Sequence, residues 1–281
     1  MLKINIKKYL IMKKIIIIGA GAMGSAFAVP CLENKNEVTI IGTHLEDDLI
    51  DSIKSNNNFH PALKVELPTK LKVEKYEKLK SILEREVDII VAGVSSIGIE
   101  WFVNQISKNY KKNLPIILLT KGLAIEDNEL ITLSDKIKKL LKKQGHEEVN
   151  VSAIKGPCLA AGLAYKMRTG TVIANPDIKE TEKLKKIIST DYYSTEISDD
   201  LTGVELAGAI KNIYSMLIGA SEGLSNSKAP KEIQSKYYLN TSASLIHRSI
   251  SEMVEFVSYY GGKVDTVYGL AGLGDLYVSA I

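Results

Sequence analysis

The chain has 281 residues, 45% of them hydrophobic and 25% charged, with a formal net charge of +3; this is the profile of a globular protein with core enough for two modest domains or one large one. Its 36 basic and 33 acidic residues are spread along the sequence, so nothing singles out nucleic acid as a partner. Two cysteines, Cys31 and Cys158, form no CxxC pair and have no clustered histidines beside them, which gives no support to a disulfide framework or a metal site and fits a reducing cytoplasm.

The N-terminus reads MLKINIKKYLIMKKIIIIGAGAMGSAFAVPC. Lysines, an apolar run and small residues imitate a secretory signal. Three glycines interrupt that run, and it is shorter than the roughly 20 apolar residues of a membrane helix. Met12 stands directly before KKIIIIG, so residues 1–11 are read as a basic extension or a mis-assigned start.

From Met12 onward the pattern is regular. KKIIIIG is a short β-branched run suited to a buried parallel strand, and AGAMGSAFAVPCLE is a helix beginning in the glycines. EVTIIG predicts a second strand, HLEDDLIDSIKS a helix, VDIIVAGV a third strand, SSIGIEWFVNQISKNY a helix and LPIILLTKG a fourth strand. Such alternation predicts a doubly wound, Rossmann-like parallel sheet with helices on both faces, an α/β fold. VNVSAIKGP, TGTVIANP and YYSTEIS extend the sheet, with IKETEKLKKIIS as a helix; KLLKKQGHEE reads as a solvated helix end. Past about residue 200 the strand pattern fades, and a mostly helical second domain is expected. The predicted division is 12–198 and 199–281.

Gly19-Ala20-Gly21-Ala22-Met23-Gly24 matches GxGxxG between a strand and a helix. The first glycine permits the tight turn, the second admits a pyrophosphate close to the backbone, and the third allows helix packing. The helix N-terminus adds amide donors for the anion. The second strand ends Ile41-Gly42-Thr43-His44, with no acid for a ribose 2′-hydroxyl and no arginine for a 2′-phosphate, so NAD and NADP both stay open.

In GVELAGAIKNIYSMLIG, Leu206, Ile210, Ile213 and Leu217 form one apolar stripe, expected to face the core. Lys211 falls on the other side among Val204, Gly208, Ser215 and Gly219, where a ligand has room, with Asn212 beside it; a surface lysine fits the pattern equally well. Lys121, at the end of the fourth strand, points toward the crevice where open α/β sheets bind ligands, or is a surface lysine that starts a helix. GPCLAAG, 156–162, resembles a loop running into a helix N-terminus. Cys158 has no partner base in view and reads as a small buried thiol.

Taken together, IIGAGAMGSAFA, HPALKVELPTKLKV, LLTKGLA, IKGPCLAAGLA, VELAGAIKNIYSMLIGA and GLAGLGDL, in this order, resemble NAD(P)-dependent glycerol-3-phosphate dehydrogenase. That resemblance implies reversible reduction of dihydroxyacetone phosphate to sn-glycerol 3-phosphate with NAD or NADP as coenzyme, feeding glycerophospholipid synthesis, in a cytoplasmic homodimer. It implies Lys211 as the proton donor or acceptor, and Lys121, Gly156, Cys158, Lys211, Asn212 and Asp275 as substrate contacts. Gly19, Ala20, Gly21, Ala22, Met23 and Gly24, with Lys121 and Ala160, would hold the coenzyme. Desolvation and the neighbouring Lys121 would lower the Lys211 pKa; Asp275 would oppose that if very close, and is therefore assigned to a substrate hydroxyl. A related hydroxy-acid dehydrogenase and a silent NAD(P)-binding protein are the alternatives.

Two departures stand out. Cys158 occupies a position where the family more usually has serine. Family members also continue past GLGDL into an Arg-Asn segment that grips the substrate phosphate, whereas this chain ends at Ile281 and has arginine only at Arg85, Arg168 and Arg248. The resemblance thus implies a member of this family that is either active by some compensation or impaired by a shortened helical domain.

Overall fold

A computed structural model describes residues 12–228, 230 and 234–280; the proposed extension 1–11 lies outside them. The isoleucine run forms β1, Lys14–Ile18. Alternate side chains of a strand point to opposite faces, and Ile15 and Ile17 join one core cluster while Ile16 and Ile18 join the other. The first cluster packs beneath α1 (Ala22–Glu33), β2 (Glu37–Ile41) and α2 (Asp47–Ser55). A small antiparallel pair, β3 (Phe59–His60) and β4 (Val65–Glu66), then leads to the edge strand β5 (Lys72–Glu74) and the short α3 (Leu79–Leu83).

β6 (Ile89–Ala92) pairs with β1 on the side opposite β2. The chain therefore reverses its direction of travel across the sheet between β1 and β6, the switch point at which ligands bind open α/β sheets. α4 (Ile99–Ile106), β7 (Ile116–Leu118), a hairpin of β8 (Leu123–Glu126) and β9 (Glu129–Thr132), and α5 (Leu133–Lys143) complete the second face. The hairpin was not legible as a pair of strands; its turn places Asp127 and Asn128 at φ 53° and 64°, the left-handed conformation that a two-residue hairpin loop requires.

β10 (Val151–Lys155), α6 (Ala160–Ala164), β11 (Thr169–Ala174), α7 (Ile178–Ile188) and β12 (Tyr193–Ser198) finish an eight-stranded sheet of order β12-β11-β10-β7-β6-β1-β2-β5. The seven expected strands all lie in this sheet and β5, which was not expected, adds its edge, but the sheet is mixed: β11 runs antiparallel to β10. The connection between β10 and β11 carries only the five-residue α6 and returns the chain alongside β10 in the opposite sense, whereas α7 provides a full crossover and β12 is parallel to β11.

After β12 every described element is helical: α8 (Leu201–Lys228), α9 (Gln234–Tyr259), α10 (Val264–Tyr268), a π turn (Leu270–Gly274) and α11 (Asp275–Ala280). Asp200 fixes the start of α8. Its carboxylate accepts from the Gly203 amide at 2.9 Å, the Lys263 amide at 2.8 Å and the Thr266 hydroxyl at 2.6 Å, capping α8 and tying it to the loop before α10. The expected inward stripe of α8 needs correction. Leu206 and Ile210 are buried, yet Ile213 is 60% and Leu217 49% exposed. Val204, Ala207, Lys211 and Ile218 are buried instead, a rotation that places Lys211 inward.

Candidate active site

The glycine loop after β1 is organised around Ala20. Its amide donates to Glu46 Oε2 at 3.0 Å, and its carbonyl accepts from the Ser25 hydroxyl at 2.9 Å and His60 Nε2 at 3.0 Å. The Leu63 amide donates to His60 Nδ1, so Nε2 carries the proton. Gly19 has φ +110°, and a Cβ there would lie 2.6 Å from the Gly93 carbonyl oxygen. A Cβ on Gly24 would lie 2.5 Å from the Gly19 oxygen. Gly21 differs: the nearest atom to a Cβ there is Glu46 Oε1 at 3.9 Å. Two glycines thus permit backbone packing and the middle one faces open space, an arrangement matching the three roles read from the motif.

Gly93 passes the loop on to Val94, whose carbonyl accepts from Thr120 Oγ1 at 2.6 Å. Lys121 follows just beyond the C-terminal end of β7. Its ammonium pairs with Asp275 Oδ2, and Asp275 Oδ1 lies 2.8 Å from Lys211 Nζ. Three residues remote in sequence, Lys121, Lys211 and Asp275, therefore meet just beyond the C-terminal end of β7. Lys211 is 4% and Asp275 1% exposed, while the Lys121 side chain keeps 28% exposure and opens the cluster to solvent.

Asp275 is in direct contact with both ammonium groups, the close approach at which its carboxylate opposes the lowering of the Lys211 pKa. Burial lowers the Lys211 pKa from its ordinary 10.5; the hydrogen bond to Asp275 raises it, and the charge on Lys121 lowers it again, leaving a net downward shift. Desolvation outweighs the carboxylate. Lys211 also donates to Ser279 Oγ, a residue the sequence reading missed. Ser279 follows Asp275 by four on α11, so both face one side of that helix.

Around this centre, Gly156 has φ +137° and a Cβ there would sit 3.0 Å from Thr171 Cα. Pro157 lies 3.5 Å from a Cβ built on Gly274, which brings the GPC loop against the GLGD turn. Cys158 is buried, and desolvation pushes its thiol up to about 11, so it is no thiolate nucleophile. Ala160, at the first turn of α6, packs with Ala22 and Met23 against the core under α1. Asn212 is exposed beside Lys211, and its carbonyl accepts from Ser215 Oγ. Arg85 lies near Lys14 and Glu37 at the opposite end of the strands, and Arg248 pairs with Glu252.

Two further groups escaped the sequence reading. Lys155, on β10, is fully buried and donates to the Leu118 and Thr120 carbonyls at 3.2 and 2.8 Å. Its stem lies 3.2 Å from a Cβ built on Gly208, so glycine lets α8 settle on it. Burial lowers its pKa to about 8. Glu205, also buried, accepts the Ser134 amide through Oε1 and has no partner at Oε2; burial raises its pKa. An apolar strand pattern gives no warning of a lysine on its buried face.

Comparison with known proteins agrees with this architecture. Residues 14–181 match the NAD-dependent glycerol-3-phosphate dehydrogenase N-terminus, and residues 200–281 match the C-terminus of the same family. The chain is 35% identical over 260 residues to an NADP(+)-dependent glycerol-3-phosphate dehydrogenase of Archaeoglobus fulgidus, spanning 92% of this chain and 74% of that protein. It is 30% identical over 270 residues to a glycerol-3-phosphate dehydrogenase [NAD(P)+] of Mesoplasma florum, spanning 95% and 75%. The crystal structure of glycerol-3-phosphate dehydrogenase from Coxiella burnetii superposes with a TM-score of 0.79 at 27% identity, over 96% of this chain and 76% of that one. The fold, the coenzyme loop and these matches together place the chain in the NAD-dependent glycerol-3-phosphate dehydrogenase family.

Proposed function

We propose that this protein interconverts dihydroxyacetone phosphate and sn-glycerol 3-phosphate, with Lys211 as its acid and base. The observation that carries the reading is the buried Lys211, held between Asp275 and Ser279 and within the field of Lys121. The residues fit a dinucleotide: Gly19 makes the turn, Gly21 leaves the space above the loop open, and Gly24 seats α1. Residues 19–24, Lys121 and Ala160 would hold it, and when bound it supplies the hydride in reduction and accepts it in oxidation.

In reduction, the ketone carbon gains a hydride and its oxygen becomes an alkoxide. Lys211 donates a proton to that oxygen and becomes neutral; in the reverse direction the neutral amine takes the hydroxyl proton. Its depressed pKa makes the neutral form accessible, and Lys121 adds positive charge where the oxyanion develops. Asp275 orients both lysines. Gly156, Cys158 and Asn212 complete the substrate contacts. Purified protein should oxidise sn-glycerol 3-phosphate and leave simple hydroxy acids untouched; equal rates on both would sink this reading.

We further infer a division at 198–199 into coenzyme and substrate domains, supported by the absence of strands among the described residues after Ser198. A homodimer is supported by the exposed apolar face of Ile213, Met216 and Leu217 on α8. A cytoplasmic role supplying glycerophospholipid synthesis is consistent with the buried free thiols. Among the described residues no helix is long and apolar enough to cross a membrane.

A further inference from the structure

Resting on the coenzyme reading above, we propose that Glu46 binds the adenosine ribose hydroxyls and makes this protein prefer NAD(H) to NADP(H). The strand tip carries glycine where an acid would commonly stand, and the structure shows where the acid went. A Cβ on Gly42 would lie 2.7 Å from Ile50 Cγ1, so glycine lets β2 run close against α2. The Glu46 amide donates to the Thr43 carbonyl at 3.0 Å, closing a tight turn. That turn folds Glu46, five residues past the strand, back to the glycine loop.

There the carboxylate is held on two sides. Oε2 accepts from the Ala20 amide at 3.0 Å and from the Thr43 amide at 2.7 Å, joining the turn after β1 to the turn after β2. Oε1 faces the space above Gly21. A carboxylate fixed in this way accepts well from a vicinal diol and repels a phosphate ester at the same place. Its surroundings reinforce the repulsion. Asp47 and Asp48 follow it, with Asp47 Oδ1 buried and lacking a hydrogen-bond partner, and Asp51 lies one turn further along α2. Between Gly42 and Asp51 the only side chain able to become cationic is His44, which packs on Trp101 and Tyr76 at ring separations of 5.2 and 6.2 Å. Two lysines of this region are occupied: Lys75 pairs with Asp51 and Lys54 with Glu74. The Archaeoglobus fulgidus relative carries NADP(+) in its name, so kinship does not set this outcome.

The test is direct binding of NADH and of NADPH to the full chain without substrate, by calorimetry and nicotinamide fluorescence. Wild type should bind NADH at least about tenfold more tightly than NADPH, since one lost charge-assisted hydrogen bond alone corresponds to that ratio. Glu46→Gln, which keeps an acceptor for the two amides and removes the charge, should narrow the preference by about tenfold or more. Glu46→Ser should do the same, and thermal melts verify that both variants fold. Equal or tighter NADPH binding by wild type would overturn the assignment, as would an unchanged ratio in two folded variants. Binding of neither coenzyme would overturn both this assignment and the reading beneath it. NADH binding with the expected Glu46 dependence, but without reduction of dihydroxyacetone phosphate, would support Glu46 while refuting the proposed reaction.

Discussion

Replacing Asp275 with asparagine probes the balance that sets the state of Lys211. Asp275 Oδ1 lies 2.8 Å from the Lys211 ammonium, and Asp275 Oδ2 pairs with Lys121. A hydrogen bond to a charged group contributes about 1.5–3 kcal/mol, which at 1.36 kcal/mol per pKa unit corresponds to roughly one to two units. Desolvation and Lys121 already hold Lys211 below 10.5, and Asp275 is the group that limits the fall. Asp275→Asn should therefore move the alkaline rise of sn-glycerol 3-phosphate oxidation about one to two pH units toward acid. Reduction, which needs the protonated lysine, should lose rate earlier as pH rises. Initial rates across pH in both directions, with saturating coenzyme, measure the shift. An unmoved inflection, or one moved toward alkali, would refute the reasoning.

The glycines separate folding from binding: Gly24→Ala should lower thermal stability because its Cβ meets the Gly19 oxygen at 2.5 Å, whereas Gly21→Ala should melt near wild type yet lose coenzyme affinity. Equal effects of the two on melting would contradict that division. Lys155 has a folded pKa of about 8 against 10.5 unfolded, so the unfolded chain binds more protons between those values and stability should rise with pH across that window, by up to about 3 kcal/mol. Denaturant titrations at both ends of the window should show a steeper rise for wild type than for Lys155→Met; identical slopes would exclude Lys155 as the source. Cys158, buried with a thiol near 11, should resist alkylation at neutral pH, and Cys158→Ser should retain turnover. Rapid inactivation by a thiol reagent at a rate set by Cys158 would overturn its reading as a neutral contact.

The local rules carried a large part of this fold. Isoleucine runs identified the buried strands because a parallel strand covered on both faces has no polar side, and the glycine spacing located the coenzyme turn because its backbone permits little else. The direction of β11 was not legible, since strand pattern is blind to polarity. The rotation of α8 was misread because burial there is set by partners as well as by apolarity. Asp275, Ser279 and Lys155 give polar residues a reason to face inward, and Ile213 and Leu217 turn out. Glu46 was missed for a related reason: its approach depends on a turn that brings a residue five positions past a strand end back to the loop.

The most direct measurement compares wild type with Lys211→Met in the reduction of dihydroxyacetone phosphate, with coenzyme binding measured on both proteins. Wild type should consume reduced coenzyme in proportion to the ketone supplied. Lys211→Met should bind coenzyme normally and lose at least about 100-fold in kcat, the range for a positioned acid and base. Wild-type turnover in a folded Lys211→Met variant, or coenzyme binding by wild type with no reduction of the ketone, would contradict the assignment of this lysine and of the reaction it serves.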